Sequence, residues 1–412
     1  MSAGIAVVLA AGLLIAQDQE ILDVRSPVAA RDGAFVDYVA SLLGAPISDG
    51  DRYEALENGD QVFPAMLAAI DQASQRISFE SFIFSDGAVA DRFTDALGRA
   101  AARGVTVRLV LDAYGSSDLS EAHTRRLADA GAQIVWFNLL RPWTIEATNY
   151  RTHRKVLAID GTVAFVGGVG VRDHWLGDAR TLEEWRDTQF RVTGPAVRAL
   201  EASFYENWIE AGGLSAPALD AEPPTRADDA RSIVVWSNPT AGASNIKLLY
   251  MLSIAGARET IDIQSPYFIP DASTRGVLDE ARRRGVRVRI VTEGETTDAW
   301  PVKHASRAVY QELLDAGYEI HEFAPAMMHV KALVVDGTWS IIGSVNFDNR
   351  SLELNDELAV AVADARLGAR LTAAFEADLR RCSRLDAATW RDQRSLLGKA
   401  LEAFWSYFGE LF

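Results

Sequence analysis

HVKALVVDGTWSIIGSVN, residues His329 to Asn346, sets a histidine and a lysine two positions apart at the head of an apolar run. Asp336-Gly337 closes that run, and a second one ends in Gly-Ser-Val-Asn. Side chains at i and i+2 of an extended strand share a face, so His329 and Lys331 emerge together. The pattern stands once more, earlier in the chain. HRKVLAIDGTVAFVGGVG, His153 to Gly170, matches it position for position, with His153, Lys155 and Asp160-Gly161 in the corresponding places. Each Asp-Gly predicts a hairpin turn between two strands.

The flanks repeat as well. RGVTVRLVLD (Arg103 to Asp112) answers RGVRVRIVTE (Arg284 to Glu293), and LADAGAQIVWF answers LLDAGYEIHEF. Upstream, ISFESFIFSDG (Ile77 to Gly87) answers IDIQSPYFIPD (Ile261 to Asp271). Downstream, an acid heads a strand-like run in each half, in WRDTQFRV and in NDELAVAV. Each half reads as strand, helix, strand, helix, strand and hairpin, which predicts a mixed α/β architecture of two mixed sheets flanked by helices. A duplicated domain closing on itself about a pseudo-two-fold axis follows. The expected boundaries are an apolar N-terminal segment over 1–30, a first domain over 31–211, a linker over 212–230 rich in Pro, Ala and Asp, and a second domain over 231–412.

Composition narrows the function. A chain of 412 residues has room for two domains. Its formal net charge of −16 argues against nucleic acid as partner, because binders of polyanions carry a basic field. Any anionic substrate must therefore meet local positive charge. The lone Cys382 excludes an internal disulfide. No HExxH, CxxC or carboxylate cluster with ligand spacing occurs, so neither metal nor cofactor is expected.

Both termini read as membrane-aware. AGIAVVLAAGLLIA (Ala3 to Ala16) carries no charge. As a helix it reaches roughly 21 Å, short of the ~30 Å hydrocarbon core, and suits a signal, an anchor or an interfacial helix. LLGKALEAFWSYFGELF (Leu396 to Phe412) places Leu397, Leu401, Phe404, Trp405, Phe408 and Leu411 at helical spacing, as a helix packed on the body or lying in an interface.

A pseudo-two-fold axis brings His153 and His329 face to face, each with a lysine beside it. Two imidazoles flanking one ligand suit in-line displacement at a phosphodiester, one attacking phosphorus and the other protonating the leaving oxygen. The two must differ in protonation to do so. Lys155 and Lys331 then hold the non-bridging oxygens, with Asn346 and Ser344 as further donors. Asp187 and Glu357, from their matched places after the motifs, are expected to orient the histidines through the far ring nitrogen. Asp160 and Asp336 open Asp-Gly turns, a position that favours Asp for backbone reasons alone. His123, His174, His304 and His321 lack a matched partner, while Arg141, Trp143 and Tyr150 before the first motif are candidates for a substrate channel.

These residues also resemble a family. The two His-x-Lys-x4-Asp motifs, GSVNFDNRS and NDE after the second, SPYFIPD and WRDTQFRVTGPAV are similar to the phospholipase D superfamily, most of all its bacterial cardiolipin synthase branch, over about Phe79 to Val362. The resemblance implies a metal-independent phosphatidyltransferase that works through a phosphohistidine and joins two phosphatidylglycerol molecules into cardiolipin and glycerol. Phospholipase D hydrolysis to phosphatidic acid is the nearest alternative, and a nuclease on the same scaffold a more distant one. It further implies an anionic phospholipid substrate, a membrane surface at the bacterial inner membrane, and two catalytic triads, His153, Lys155, Asp160 and His329, Lys331, Asp336. One departure stands out: the family's GGxN reads GGVG here, with Gly170 where the second half has Asn346.

Overall fold

A computed structural model describes residues 21–139, 150–214, 230–238 and 245–408. The apolar run Ala3 to Ala16, Arg141, Trp143, linker residues 215–229 and Leu411 lie outside them. After α1 (Phe35–Leu43), the first half runs β1 (Ile47–Glu57), α2 (Asn58–Gln72), β2 (Arg76–Ser81), α3 (Ala88–Ala102), β3 (Thr106–Asp112), α4 (Glu121–Asp129) and β4 (Gln133–Phe137). Then come the hairpin β5 (Val156–Ile159) and β6 (Val163–Gly167), the short β7 (Trp185–Arg186), β8 (Thr188–Thr193) and α5 (Ala196–Glu210). The second half repeats the plan: β9 (Ala230–Trp236), α6 (Asn245–Gly256), β10 (Thr260–Gln264), α7 (Ala272–Arg283), β11 (Arg287–Glu293), α8 (Trp300–Asp315) and β12 (Glu319–Phe323). It continues with β13 (Met327–Met328), β14 (Ala332–Val335), β15 (Trp339–Gly343), β16 (Leu358–Ala363) and α9 (Ala365–Leu379), and ends with β17 (Cys382–Arg384), α10 (Ala387–Gln393) and α11 (Leu396–Ser406).

In each half the Val- and Ile-rich strands joined by helices pair in parallel, β2–β3–β4 and β10–β11–β12, while the hairpin strands pair antiparallel beside them. The inner strands are buried on both faces, as crossover helices require, while β4 at the sheet edge is only partly buried. The two half-sheets are not separate. β1 pairs with β9 through its first residues and with β8 through the rest, shifting register between Asp49 and Asp51 at Gly50 (φ 93°). A single ladder of 15 strands results, with mirrored order about the β1–β9 junction.

Each half has its own apolar core, and a third cluster takes Val156, Ala158 and Val166 from one half and Val334, Ile342 and Val360 from the other. Burying these together draws the two hairpins against each other. α1 crosses over: Phe35 stands edge-on to Trp339 at 4.9 Å, inside the core of the second half. Among the described residues no helix is long and apolar enough to cross a membrane.

Candidate active site

β5 runs antiparallel to β2, and β14 to β10, so the entry to each hairpin lies at the carboxyl end of the parallel strands. That end is where open α/β sheets bind ligands. His153 and Lys155 occupy the extended entry to β5, and His329 and Lys331 the entry to β14. All four are buried, with His153 9% and His329 4% exposed.

The entries do not pair within their own halves. Thr152 bridges Asp356 in parallel, and the His153 N–H donates to the Asp356 carbonyl at 2.8 Å. Equivalently, β13 pairs in parallel with β7, and the His329 N–H donates to the Arg186 carbonyl at 2.7 Å. Each histidine is thereby set beside the acid of the opposite half. His153 Nδ1 lies 2.8 Å from Glu357 Oε1, and His329 Nδ1 lies 2.6 Å from Asp187 Oδ2. An ionised acid makes Nδ1 the donor and leaves Nε2 with its lone pair. Each acid thus meets Nδ1 of the histidine from the opposite half.

Lys155 Nζ donates to the His153 carbonyl at 2.7 Å, and Lys331 Nζ to the His329 carbonyl at 2.8 Å. Lys331 Nζ also sits 3.2 Å from His329 Nε2. Burial and the Lys155 charge outweigh the pull of Glu357 and push His153 down to about 4. Burial and Lys331 likewise lower His329. Burial and repulsion from Lys331 bring Lys155 down to about 7, and burial lowers Lys331 too. Burial works against charge on Asp187 and Glu357, but their histidines and the lysines hold both below the usual carboxylate range. Without a ligand, then, both imidazoles are neutral near pH 7. An anionic substrate between the histidines would favour the charged form of one of them.

Two further expectations are corrected. Asp160 and Asp336 do not join the histidines. They sit at the far end of their strands, roughly 20 Å along the chain at about 3.3 Å per residue. There Asp160 accepts the N–H groups of Ser74, Gln75 and Arg76, and Asp336 those of Arg258, Glu259 and Thr260, each at 2.8 to 2.9 Å. Both turn residues hold left-handed φ (52° and 49°), which Asp tolerates. The third letter of the motif fastens the hairpin to the entry of the neighbouring parallel strand. Ser344, expected to donate toward a substrate, instead donates its hydroxyl to Glu357 Oε2 and receives the Leu358 N–H at 3.0 Å. Asn346 is buried, and its Oδ1 meets no hydrogen-bond partner among the described residues.

Gly170 has a physical reason. A Cβ there would stand 2.9 Å from the Ile83 carbonyl oxygen and 3.3 Å from Cη2 of Trp175. The Trp175 indole N–H donates to Asp187 Oδ2 at 2.9 Å, the service Ser344 performs for Glu357. Gly168 stands where the second half has Ser344, and a Cβ on it would lie 2.5 Å from Asp187 Oδ1. The halves reach one arrangement by different means, Gly with Asp and Trp in one, Ser with Glu in the other. Trp175 was missed in the sequence, and the paired departures at Gly168 and Gly170 were its signal. The wrappings differ as well: His329 packs on Trp185 and Trp175 at 4.9 and 5.3 Å, and His153 on Phe82 at 5.2 Å. Tyr150 contributes its carbonyl, which accepts from Asn138 at 2.7 Å.

A family model described as cardiolipin synthase, PLD-like domain, matches residues 66–180 and 250–379, one copy in each half. The chain belongs to this phospholipase D-like family. Among relatives, cardiolipin synthase 1 of Bacillus anthracis is 32% identical over 394 residues, covering 93% of this chain and 77% of the relative. Cardiolipin synthase A of Pseudomonas aeruginosa (strain LESB58) is 36% identical over 337 residues, covering 81% and 68%. The fold is shared with phosphatidylserine synthase of Haemophilus influenzae Rd KW20, at a TM-score of 0.70 and 12% identity over 90% of this chain and 97% of that one. The two matched segments carry His153 and His329, one in each half.

Proposed function

We propose that this chain is a phosphatidyltransferase of the cardiolipin synthase type, acting on phosphatidylglycerol-like phospholipids at a bacterial membrane surface. The observation that carries the reading is the crossed pair of buried His–carboxylate couples, each with a buried lysine, drawn together from opposite halves. In this reaction His153 Nε2 attacks phosphorus while its Nδ1–H stays on Glu357. His153 is favoured over His329 because Lys331 crowds the Nε2 of His329, whereas among the described residues no ammonium stands within hydrogen-bond reach of the His153 ring. The phosphate charge draws a proton onto His329, which passes it to the departing glycerol oxygen as the P–O bond breaks. Lys155 and Lys331 offset charge on the non-bridging oxygens. In the second step His329 takes a proton from the hydroxyl of another phosphatidylglycerol. Its oxygen attacks phosphorus, the P–N bond breaks, and His153 returns neutral.

The test is incubation with phosphatidylglycerol vesicles and mass spectrometry of the lipids, with acid-labile phosphate trapped on His153. Cardiolipin with free glycerol is the expected product. Phosphatidic acid alone, with no capture of added primary alcohol, would make the chain a hydrolase. The absence of both products would refute the reading.

A further inference from the structure

The C-terminal helix turns an apolar face toward water. Along α11 and its C-cap the exposed apolar side chains are Leu396, Leu397, Ala400, Ala403, Phe404 and Tyr407, a stripe at helical spacing with Ser406 exposed beside it. Leu396 is 86% exposed, Leu397 71%, Phe404 55% and Tyr407 53%. The body-facing side holds half-buried Leu401 and Trp405 together with Glu402, which is only 5% exposed and is held by Arg394 at 2.7 Å. The helix is well founded, since Ser395 caps it by accepting the Gly398 N–H at 3.0 Å, and Trp405 packs edge-on to Trp300 at 6.2 Å. Trp300, itself 49% exposed, extends the stripe onto the start of α8. Ordinary amphipathic helices bury the apolar stripe, so this orientation needs an apolar neighbour.

The patch adjoins the candidate active site. Trp300 opens α8 after the short loop that leaves the carboxyl end of β11, the end of the sheet where the histidines sit, and in that loop Asp298 accepts the Tyr267 hydroxyl. Through Trp300 the stripe thus faces the same end of the sheet as the site, on the side of the second half. Aliphatic side chains at one end and aromatic ones at the other, with a single lysine, Lys399, between them, match a surface that lies in the headgroup–acyl boundary. At eleven residues α11 is too short to cross a bilayer.

We infer that the outer face of α11, together with Trp300, seats on a phospholipid bilayer and presents the rim of the site to lipid headgroups; this rests on the lipid substrate proposed above. A second copy seated there would stand across the rim, whereas a bilayer seated there delivers the phosphodiester to it.

The experiment uses the full chain with Cys382→Ala, which leaves no thiol, and an environment-sensitive fluorophore on Phe404→Cys. Ile209→Cys, 56% exposed on α5, carries the control label. Vesicles contain phosphatidylglycerol and phosphatidylethanolamine in equal parts, with and without brominated acyl chains. The expected result is a blue shift and bromine quenching at 404 and neither at 209, with Leu397→Glu weakening the titration roughly tenfold or more. No response at 404 overturns the inference, whether or not the protein floats with the vesicles. A shift that grows with protein concentration in the absence of lipid, with a dimer in the ultracentrifuge, overturns it in favour of a second copy. Repeating the titration in a His329→Asn background keeps the question apart from turnover, because the spectral response needs no chemistry.

Discussion

Glu357→Gln is the substitution that most sharply tests the crossed arrangement. Gln keeps the shape of the side chain and an oxygen for His153 Nδ1–H, which now stands 2.8 Å from a carboxylate. What disappears is the charge. When His153 Nε2 bonds to phosphorus the ring becomes cationic. At a charge separation of about 4.5 Å and an effective dielectric of about 20, the lost attraction is about 3–4 kcal/mol. Burying a neutral amide costs less than burying a carboxylate, which returns part of that, so about 2–3 kcal/mol of barrier remains, or roughly 30- to 150-fold in kcat. The assay is glycerol release from phosphatidylglycerol vesicles, with circular dichroism to establish that the fold is intact. A folded variant that keeps more than a third of the wild-type turnover would refute the reasoning. A double-mutant cycle in thermal stability makes the same point about connectivity. Glu357→Gln and His153→Asn should be non-additive by about 1 kcal/mol, while Glu357→Gln and His329→Asn should add to within about 0.5 kcal/mol. The reverse pattern would mean that each acid serves the histidine of its own half.

Asp160→Asn or Asp336→Asn, by weakening three bonds to backbone N–H groups, should cost about 1–3 kcal/mol of stability, seen as a lower Tm, with turnover per folded molecule within about threefold of wild type. Loss of catalysis at unchanged Tm would return these residues to the chemistry. The pH profile of kcat/KM should fall on both sides. Neutral His153 is lost as pH drops through about 4, and the Lys155 ammonium is lost as pH rises through about 7, so a flat profile from pH 5 to 9 contradicts the assignment. Gly170→Asn, which restores the family residue, should lower activity, because its Cβ presses on Ile83 and on the Trp175 ring that holds Asp187; overpacking of this kind costs about 1–3 kcal/mol. A more active Gly170→Asn enzyme, measured on the same vesicles, would show that the indole is dispensable.

The duplication, the mixed α/β fold and the two His-x-Lys pairs were legible in the chain because they are local. Strand alternation, Asp-Gly turns and repeated spacing are written in consecutive residues. So were Asp187 and Glu357 as partners of the histidines, since matched positions after a repeated motif mark matched roles. Which acid serves which histidine was not. That depends on the parallel pairings of β7 with β13 and of Thr152 with Asp356, contacts between segments far apart in sequence whose register follows from how the two hairpins share one apolar layer. The same holds for Asp160 and Asp336. The resemblance placed them in triads while the Asp-Gly turn pointed to a backbone role, and strand geometry carries them to the opposite end of the sheet from the histidine seven residues before each. Trp175 and the exposed stripe of α11 also belong to the tertiary structure. A helical period reveals that an apolar face exists, but only packing decides whether that face turns toward the body or, as on α11, away from it.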